Sequence, residues 1–132
     1  MFDRAVFEES LARINDLQLW DYEVSRLDEG TVLILGSNDF AYSHYLEAEF
    51  RDVTFTDLPA QFSHARFRLG RDSSDEATVW VTAESILDVG TKEYEIRASA
   101  MTLRVGRVYY YERENLQPGE RIAGRSVRND RS

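Results

Sequence analysis

With 132 residues and no cysteine, the chain is long enough for one domain, and it has no thiol for a disulfide, a thiolate zinc site or a cysteine nucleophile. Its 42% apolar and 12% aromatic residues, with only two prolines, are typical of a packed fold rich in strands. Residues 1–60 carry a net charge of −9 and residues 61–132 a net charge of +1, and because an acidic half repels phosphate, we expect neither nucleic acid nor an anionic membrane as principal partner.

The first predicted element is an amphipathic helix over residues 4–17. Asp3 stands where an N-cap is expected. The opening residues lack the apolar run of a secretory signal, and no later stretch approaches the ~20 apolar residues that span a bilayer, so a cytoplasmic protein is expected. Apolar side chains recur along this helix at helical spacing: Phe7, Leu11, Ile14 and Leu17.

Alternating apolar and polar residues then predict strands. A hairpin is predicted to join residues 20–25 to residues 31–35 through the turn Asp28-Glu29-Gly30. A long strand follows from Tyr42, with a bulge near Arg51, where the alternation changes phase.

The later strands are predicted from the same alternation. Residues 62–69 are interpreted as the return of the long strand after the turn at Pro59. Three more strands are predicted at residues 79–83, 94–105 and 108–112, and Gly106-Arg107 suits a two-residue turn between the last two.

These elements predict an α+β, mainly β fold. An N-terminal amphipathic helix is followed by an antiparallel meander of about seven or eight strands that forms a sandwich or a partial barrel. Residues 1–120 are expected to form a single globular domain, and residues 121–132 a flexible tail rich in arginine.

The two histidines raise the question of a metal site. If residues 41–55 pair with residues 62–69, His44 and His64 lie roughly 30 Å apart at ~3.3 Å per residue. The acidic loop from Asp72 to Glu76 lacks the glycine and the glutamate spacing of a calcium loop and is interpreted as a solvated turn. No metal and no cofactor is therefore predicted.

His44 is the weak candidate for catalysis. It shares the predicted strand face with Tyr42, Leu46 and Phe50, and a buried histidine there needs a hydrogen-bond partner, for which Asp39 or a tyrosine hydroxyl could serve. The candidate catalytic residues are His44, Asp39 and Tyr42, and a general base would need a substrate-sized cavity beside it. A structural histidine is the alternative interpretation.

The acidic first half is the candidate binding surface. Glu47, Glu49 and Tyr45 share the outward face of the long strand, and clustered carboxylates speed association with a basic surface. The partner is then a basic protein or a second copy of the chain. The chain's own C-terminal arginines are a further alternative: Arg121, Arg125, Arg128 and Arg131.

Two functions follow from these observations. The first is a small acidic protein that acts as a non-catalytic binding or protein-interaction domain. The second is a small enzyme or ligand-binding β-barrel that uses His44 with a nearby acid and tyrosine. The sequence contains no Gly-x-Ser-x-Gly elbow, no phosphate-binding Gly-x-x-x-x-Gly-Lys loop and no Gly-x-Gly-x-x-Gly, which favours the first.

Overall fold

The chain begins with the helix that the sequence predicts. In the computed structural model, which describes residues 2–70, 75–85, 88–111 and 114–122, α1 spans Arg4–Leu17. The Asp3 carboxylate accepts a hydrogen bond from the Val6 N–H (3.3 Å), so the predicted N-cap is confirmed. Gln18 ends the helix in the left-handed conformation (φ 51°), and the last turn contains no basic residue.

Nine strands follow the helix in the described part of the chain. The predicted hairpin and the mainly β class are confirmed, and a long strand follows the hairpin. The predicted bulge near Arg51 is wrong, because this strand ends at Arg51, Asp52 is left-handed (φ 54°), and Phe55–Thr56 form a separate strand that pairs with Arg97 and Ile96. The strands are β1 Asp21–Asp28, β2 Thr31–Ser37, β3 Ser43–Arg51, β4 Phe55–Thr56, β5 Gln61–Leu69, β6 Ala77–Ser85, β7 Asp88–Ala98, β8 Ala100–Tyr109 and β9 Arg121–Ile122.

All nine strands belong to one open sheet. Its order is β4-β7-β6-β5-β1-β2-β3-β8-β9, so two runs of consecutive antiparallel strands, β1 to β3 and β5 to β7, are joined where β5 pairs with β1. The last pair, β8 with β9, is parallel, which makes the sheet mixed.

The sheet curves around α1. The helix contacts both β5 and β8, which stand four places apart in the strand order and would be roughly 19 Å apart in a flat sheet. The helix buries Phe7, Leu11 and Ile14 against the concave face. Apolar residues of β1 to β3 and of β5 to β8 complete this core, among them Ile34 and Phe50, neither of which has any exposed surface.

One predicted pairing and one predicted turn are wrong. The strand at 62–69 does not return along the long strand, because β5 pairs with β1 and β6, whereas β3 pairs with β2 and β8. Gly106-Arg107 is not a turn, because β8 runs through it. Between the pairs His44↔Val108 and Leu46↔Val105, two residues of β8 lie opposite one residue of β3, so the glycine marks a bulge.

The end of the chain is described only in part. Arg121 and Ile122, the first two residues of the predicted tail, form β9, and residues 123–132 lie outside the described residues. No helix in the described part of the chain is long and apolar enough to cross a membrane.

Candidate functional site

A cleft of about 530 Å³ opens at one end of the sheet, beside the C-terminus of α1. The turn between β2 and β3 forms one wall, and the last residues of β8 with Tyr111 form another. We call this site the tyrosine cleft. Its lining residues are Leu17, Leu19, Ser37, Asn38, Asp39, Tyr42, Ser43, Tyr45, Arg107, Tyr109 and Tyr111.

Three of the cleft tyrosines form a connected ring cluster. Tyr111 packs edge to face against Tyr42 (ring centroids 6.4 Å apart) and against Tyr109 (5.6 Å). The Tyr109 hydroxyl donates to a carboxylate oxygen of Glu120 (3.0 Å). Tyr42 is nevertheless 61% exposed and Tyr111 43% exposed, so ordered aromatic surface faces solvent at the mouth of the cleft.

The turn that carries Asp39 is held by side-chain hydrogen bonds. The Asp39 N–H donates to the Ser37 hydroxyl (2.9 Å), which in turn donates to the Ser43 carbonyl (2.7 Å). The Asp39 carboxylate accepts from the Ala41 N–H (3.0 Å), and the Asn38 side-chain oxygen accepts from the Trp20 N–H (2.8 Å). The wall of the cleft is therefore a fixed structure rather than a loose loop.

His44 lies outside the cleft, in a polar chain next to it. Its side chain has no exposed surface. Nε2 is 2.7 Å from a carboxylate oxygen of Glu47, and Nδ1 is 2.6 Å from the Tyr110 hydroxyl. A neutral imidazole with its proton on Nε2 satisfies both contacts, since Nε2 donates to Glu47 and Nδ1 accepts from Tyr110. Both ring nitrogens are thus engaged.

His44 and Glu47 meet beside an irregularity in the pairing of β3 with β8. Residues three apart in a regular strand point to opposite faces of the sheet. The pairing shifts between His44 and Leu46, opposite the bulge at Gly106, and the contact between the His44 and Glu47 side chains lies next to this shift. The sequence gives no direct sign of this contact.

Arg121 completes the polar chain. Its Nη2 is buried and forms an ion pair with the same Glu47 oxygen at 2.6 Å. One of the C-terminal arginines therefore docks on the acidic half, one of the alternatives that the sequence left open. Because Arg121 belongs to β9, this contact helps to fix β9 beside β8.

The pKa of the Glu47 carboxyl is lowered from its usual value near 4.5. Burial by itself raises this pKa, but the contacts with His44 and Arg121 together outweigh the burial. A carboxyl whose pKa is lower in the folded state stabilises the fold above its unfolded pKa, and that stabilisation is lost as the pH falls through the folded value.

Glu47→Gln is therefore expected to lower the free energy of unfolding by an amount that depends on pH. The difference in unfolding free energy between the native chain and this variant should be largest at neutral pH and should shrink as the pH falls below 4.5, measured by urea unfolding at a series of pH values. Glu49→Gln is the control on the same strand, since its carboxylate is 4.0 Å from Arg51 Nε and partly exposed; at neutral pH it should cost less than about 1 kcal/mol. A Glu47→Gln deficit that stays constant down to low pH would contradict this account.

Five of the six predicted site residues fall into two groups. Asp39, Tyr42 and Tyr45 all line the tyrosine cleft, whereas His44 and Glu47 belong to the buried polar chain. The structure does not bring Asp39 or Tyr42 to His44, whose partners are Glu47 and Tyr110.

Glu49 stands apart from both groups, beside Arg51. Arg107 and Ser43, which also line the cleft, were not predicted as site residues. The run of three tyrosines at 109–111 was the available signal for that wall, because it places two aromatic rings, Tyr109 and Tyr111, on one side and Tyr110 on the other.

Neither His64 nor the described part of the acidic loop is arranged to bind a metal ion. His64 pairs with Glu84 (3.2 Å) and shares no partner with His44. Among the described residues, no group of three or more His, Cys, Asp or Glu is arranged to hold a metal ion. Residues 72–74 of the acidic loop lie outside the described residues, and Glu76 accepts a hydrogen bond from the Thr54 hydroxyl (2.7 Å).

Comparisons of the chain with protein-family models, with curated proteins and with solved structures gave no match. Function is therefore inferred from the geometry of the site.

Proposed function

We propose that the chain is a non-catalytic protein-interaction domain that contacts a basic protein partner through the tyrosine cleft. The observation that carries this proposal is the ordered, exposed aromatic surface of Tyr42 and Tyr111 at the mouth of the cleft. Tyrosine, tryptophan and arginine dominate binding hot spots, and the two aromatic residues supply large contact areas at little entropic cost. The cleft is lined by four tyrosines and Arg107.

Charge favours a basic partner over a second copy of the chain. The chain carries a net charge of −8, so two copies repel each other, while a basic surface is attracted over a distance set by the salt concentration. The exposed residues Asp16 and Asp39 lie at the cleft end of the molecule, the first in the last turn of α1 and the second in the cleft wall.

The alternative, an enzyme or ligand-binding barrel using His44, has one observation in its favour. His44 does lie within hydrogen-bond distance of an acid, Glu47, and of a tyrosine, Tyr110. However, His44 has no exposed surface and does not line the cleft, and both of its ring nitrogens are engaged. A general base must reach the proton that it removes, so this burial supports a structural role for His44.

Capture of partners tests the proposal. The immobilised native chain is expected to retain basic proteins from an extract at about 0.1 M salt and to release them at about 1 M, where the screening length falls to ~3 Å. The double variant Tyr42→Ala/Tyr111→Ala should lose these proteins. Phe55→Ala is the matched control, because Phe55 is an exposed aromatic (41%) on β4, outside the cleft.

Quantitative mass spectrometry of the retained proteins gives the readout. Retention of the same proteins by the native chain and the double variant would place the interface elsewhere. Retention of mainly acidic proteins, unaffected by salt, would contradict the proposed partner class.

A further inference from the structure

We propose that the tyrosine cleft is a receptor for a single arginine side chain of the partner. This inference rests on the proposed function and makes it specific: the basic partner is anchored by one guanidinium group in the cleft. The two can fail separately, because capture of the partner depends on the whole interface whereas the anchor depends on the cleft chemistry alone.

The ring cluster suits a planar cation. Tyr42, Tyr109 and Tyr111 meet edge to face, at interplanar angles of 86° and 66°. Tyr42 and Tyr111 keep 61% and 43% of their surface exposed, whereas Tyr109 is buried behind them, and the face of an aromatic ring carries the negative part of its quadrupole. A guanidinium stacks on such faces better than a compact ammonium does.

The helix terminus beside the cleft also favours a cation. Leu17 is the last residue of α1 and lines the cleft, so the carbonyl end of the helix, with its partial negative charge, is directed to this end of the molecule. The last turn has no basic residue to offset that charge, and it contains the exposed Asp16.

Asp39 supplies the hydrogen-bond acceptor. One carboxylate oxygen, Oδ1, accepts the Ala41 N–H, and this contact holds the side chain in the cleft wall. A guanidinium presents its N–H groups in a fixed fork, and hydrogen bonds between it and a carboxylate are about twice as strong as neutral ones. Asp39 is therefore expected to decide whether a cation binds.

Arg107 provides an internal test of the ligand's charge. It is exposed and lines the cleft, so its own positive charge opposes a bound cation and would favour a bound anion. Removal of Arg107 should strengthen the binding of a cationic ligand and weaken the binding of an anionic one. Removal of Asp39's charge should have the opposite effects.

The experiment uses three short probes that differ at one side chain. Acetyl-Gly-Gly-Arg-Gly-Gly-amide is compared with the same peptide containing lysine and with the peptide containing citrulline, which keeps the shape of arginine without its charge. Each is titrated into the ¹⁵N-labelled full chain at low salt, and dissociation constants are taken from amide chemical shifts. Binding of so small a probe is expected on the order of millimolar.

The arginine peptide is expected to shift signals from residues 38–42 and 107–111. It should bind at least about threefold more tightly than the lysine peptide, and the difference in affinity from the citrulline peptide should be larger still. Asp39→Asn, which keeps an oxygen for the Ala41 N–H, should weaken arginine binding about five- to tenfold. Arg107→Ala should tighten it about two- to threefold.

Several results would overturn the proposal. Citrulline or lysine binding as tightly as arginine would show that the cleft does not select a guanidinium. Weaker binding by Arg107→Ala would indicate an anionic ligand. Shifts centred on the exposed acidic turn at Asp28 and Glu29, or no shifts with any probe, would show that the cleft holds no arginine, even if capture of a partner still depends on Tyr42 and Tyr111.

Discussion

His44→Ala is expected to lower the free energy of unfolding by about 3–4 kcal/mol at neutral pH. The side chain is fully buried and bonded at both ring nitrogens. Its removal leaves a cavity and takes one partner each from Glu47 and Tyr110, while the partly buried charge of Glu47 keeps its contact with Arg121. Urea unfolding followed by circular dichroism measures the loss.

His64→Ala is the matched control for this substitution. His64 is about half exposed, and its contact with Glu84 is a surface pair, so the expected loss is under about 1 kcal/mol. Equal losses for the two variants would mean that the buried polar chain adds nothing to stability, and would remove the main argument for a structural rather than a catalytic His44.

Gly106→Ala is expected to cost about 2–4 kcal/mol. Gly106 lies in the β8 bulge at φ 152°, and a Cβ there would fall well inside van der Waals contact with the carbonyl oxygen of Gly119. The segment before β9 must then move away, which would weaken the contact of Glu120 with Tyr109 and the pairing of Arg121 with Glu47. Trypsin cleavage after Arg121 should accelerate together with the loss of stability.

Gly30→Ala separates this steric effect from the effect of a positive φ alone. Gly30 has φ 85° in the β1–β2 turn, and nothing lies within 4 Å of an added Cβ. It should cost about 1–2 kcal/mol and leave cleavage after Arg121 unchanged. Faster cleavage in both variants would indicate global destabilisation rather than a specific displacement of β9.

Local structure was predictable wherever short-range chemistry decides it. The helix at 4–17 follows from the spacing of its apolar residues and from the Asp3 cap, and both are confirmed. The hairpin around Gly30 follows from its turn residues, and the alternation along β3 correctly buries Leu46, Ala48 and Phe50.

Strand pairing was not predictable in the same way. Sequence proximity suggested that residues 62–69 return along the preceding long strand, but β5 pairs with β1 because the sheet closes its core around α1 rather than around a local hairpin. Alternation fixes which face of a strand is buried and says nothing about which strand lies beside it. The misplaced turn at Gly106 has a similar origin, since a glycine serves a bulge as well as a turn.

For the candidate site, the types of residue that contact His44 were predictable, but the particular residues were not. His44 was expected to be buried and bonded to an acid or a tyrosine, and it is bonded to both, yet to Glu47 and Tyr110 rather than to Asp39 and Tyr42. The contact with Glu47 lies beside a register shift between two strands, and the contact with Tyr110 comes from a segment 66 residues away. Such long-range geometry leaves no mark in the local pattern.

Amide hydrogen exchange on the chain, alone and with the first basic partner recovered by capture, tests the proposed interface most directly. Binding at the tyrosine cleft predicts slower exchange in the turn at residues 38–42 and at residues 110–111, which lie outside the strands. The exposed acidic turn at Asp28 and Glu29, at the other end of β1, should exchange as it does in the free chain. Slower exchange at that turn, with residues 38–42 and 110–111 unchanged, would contradict the assignment of the cleft as the binding site.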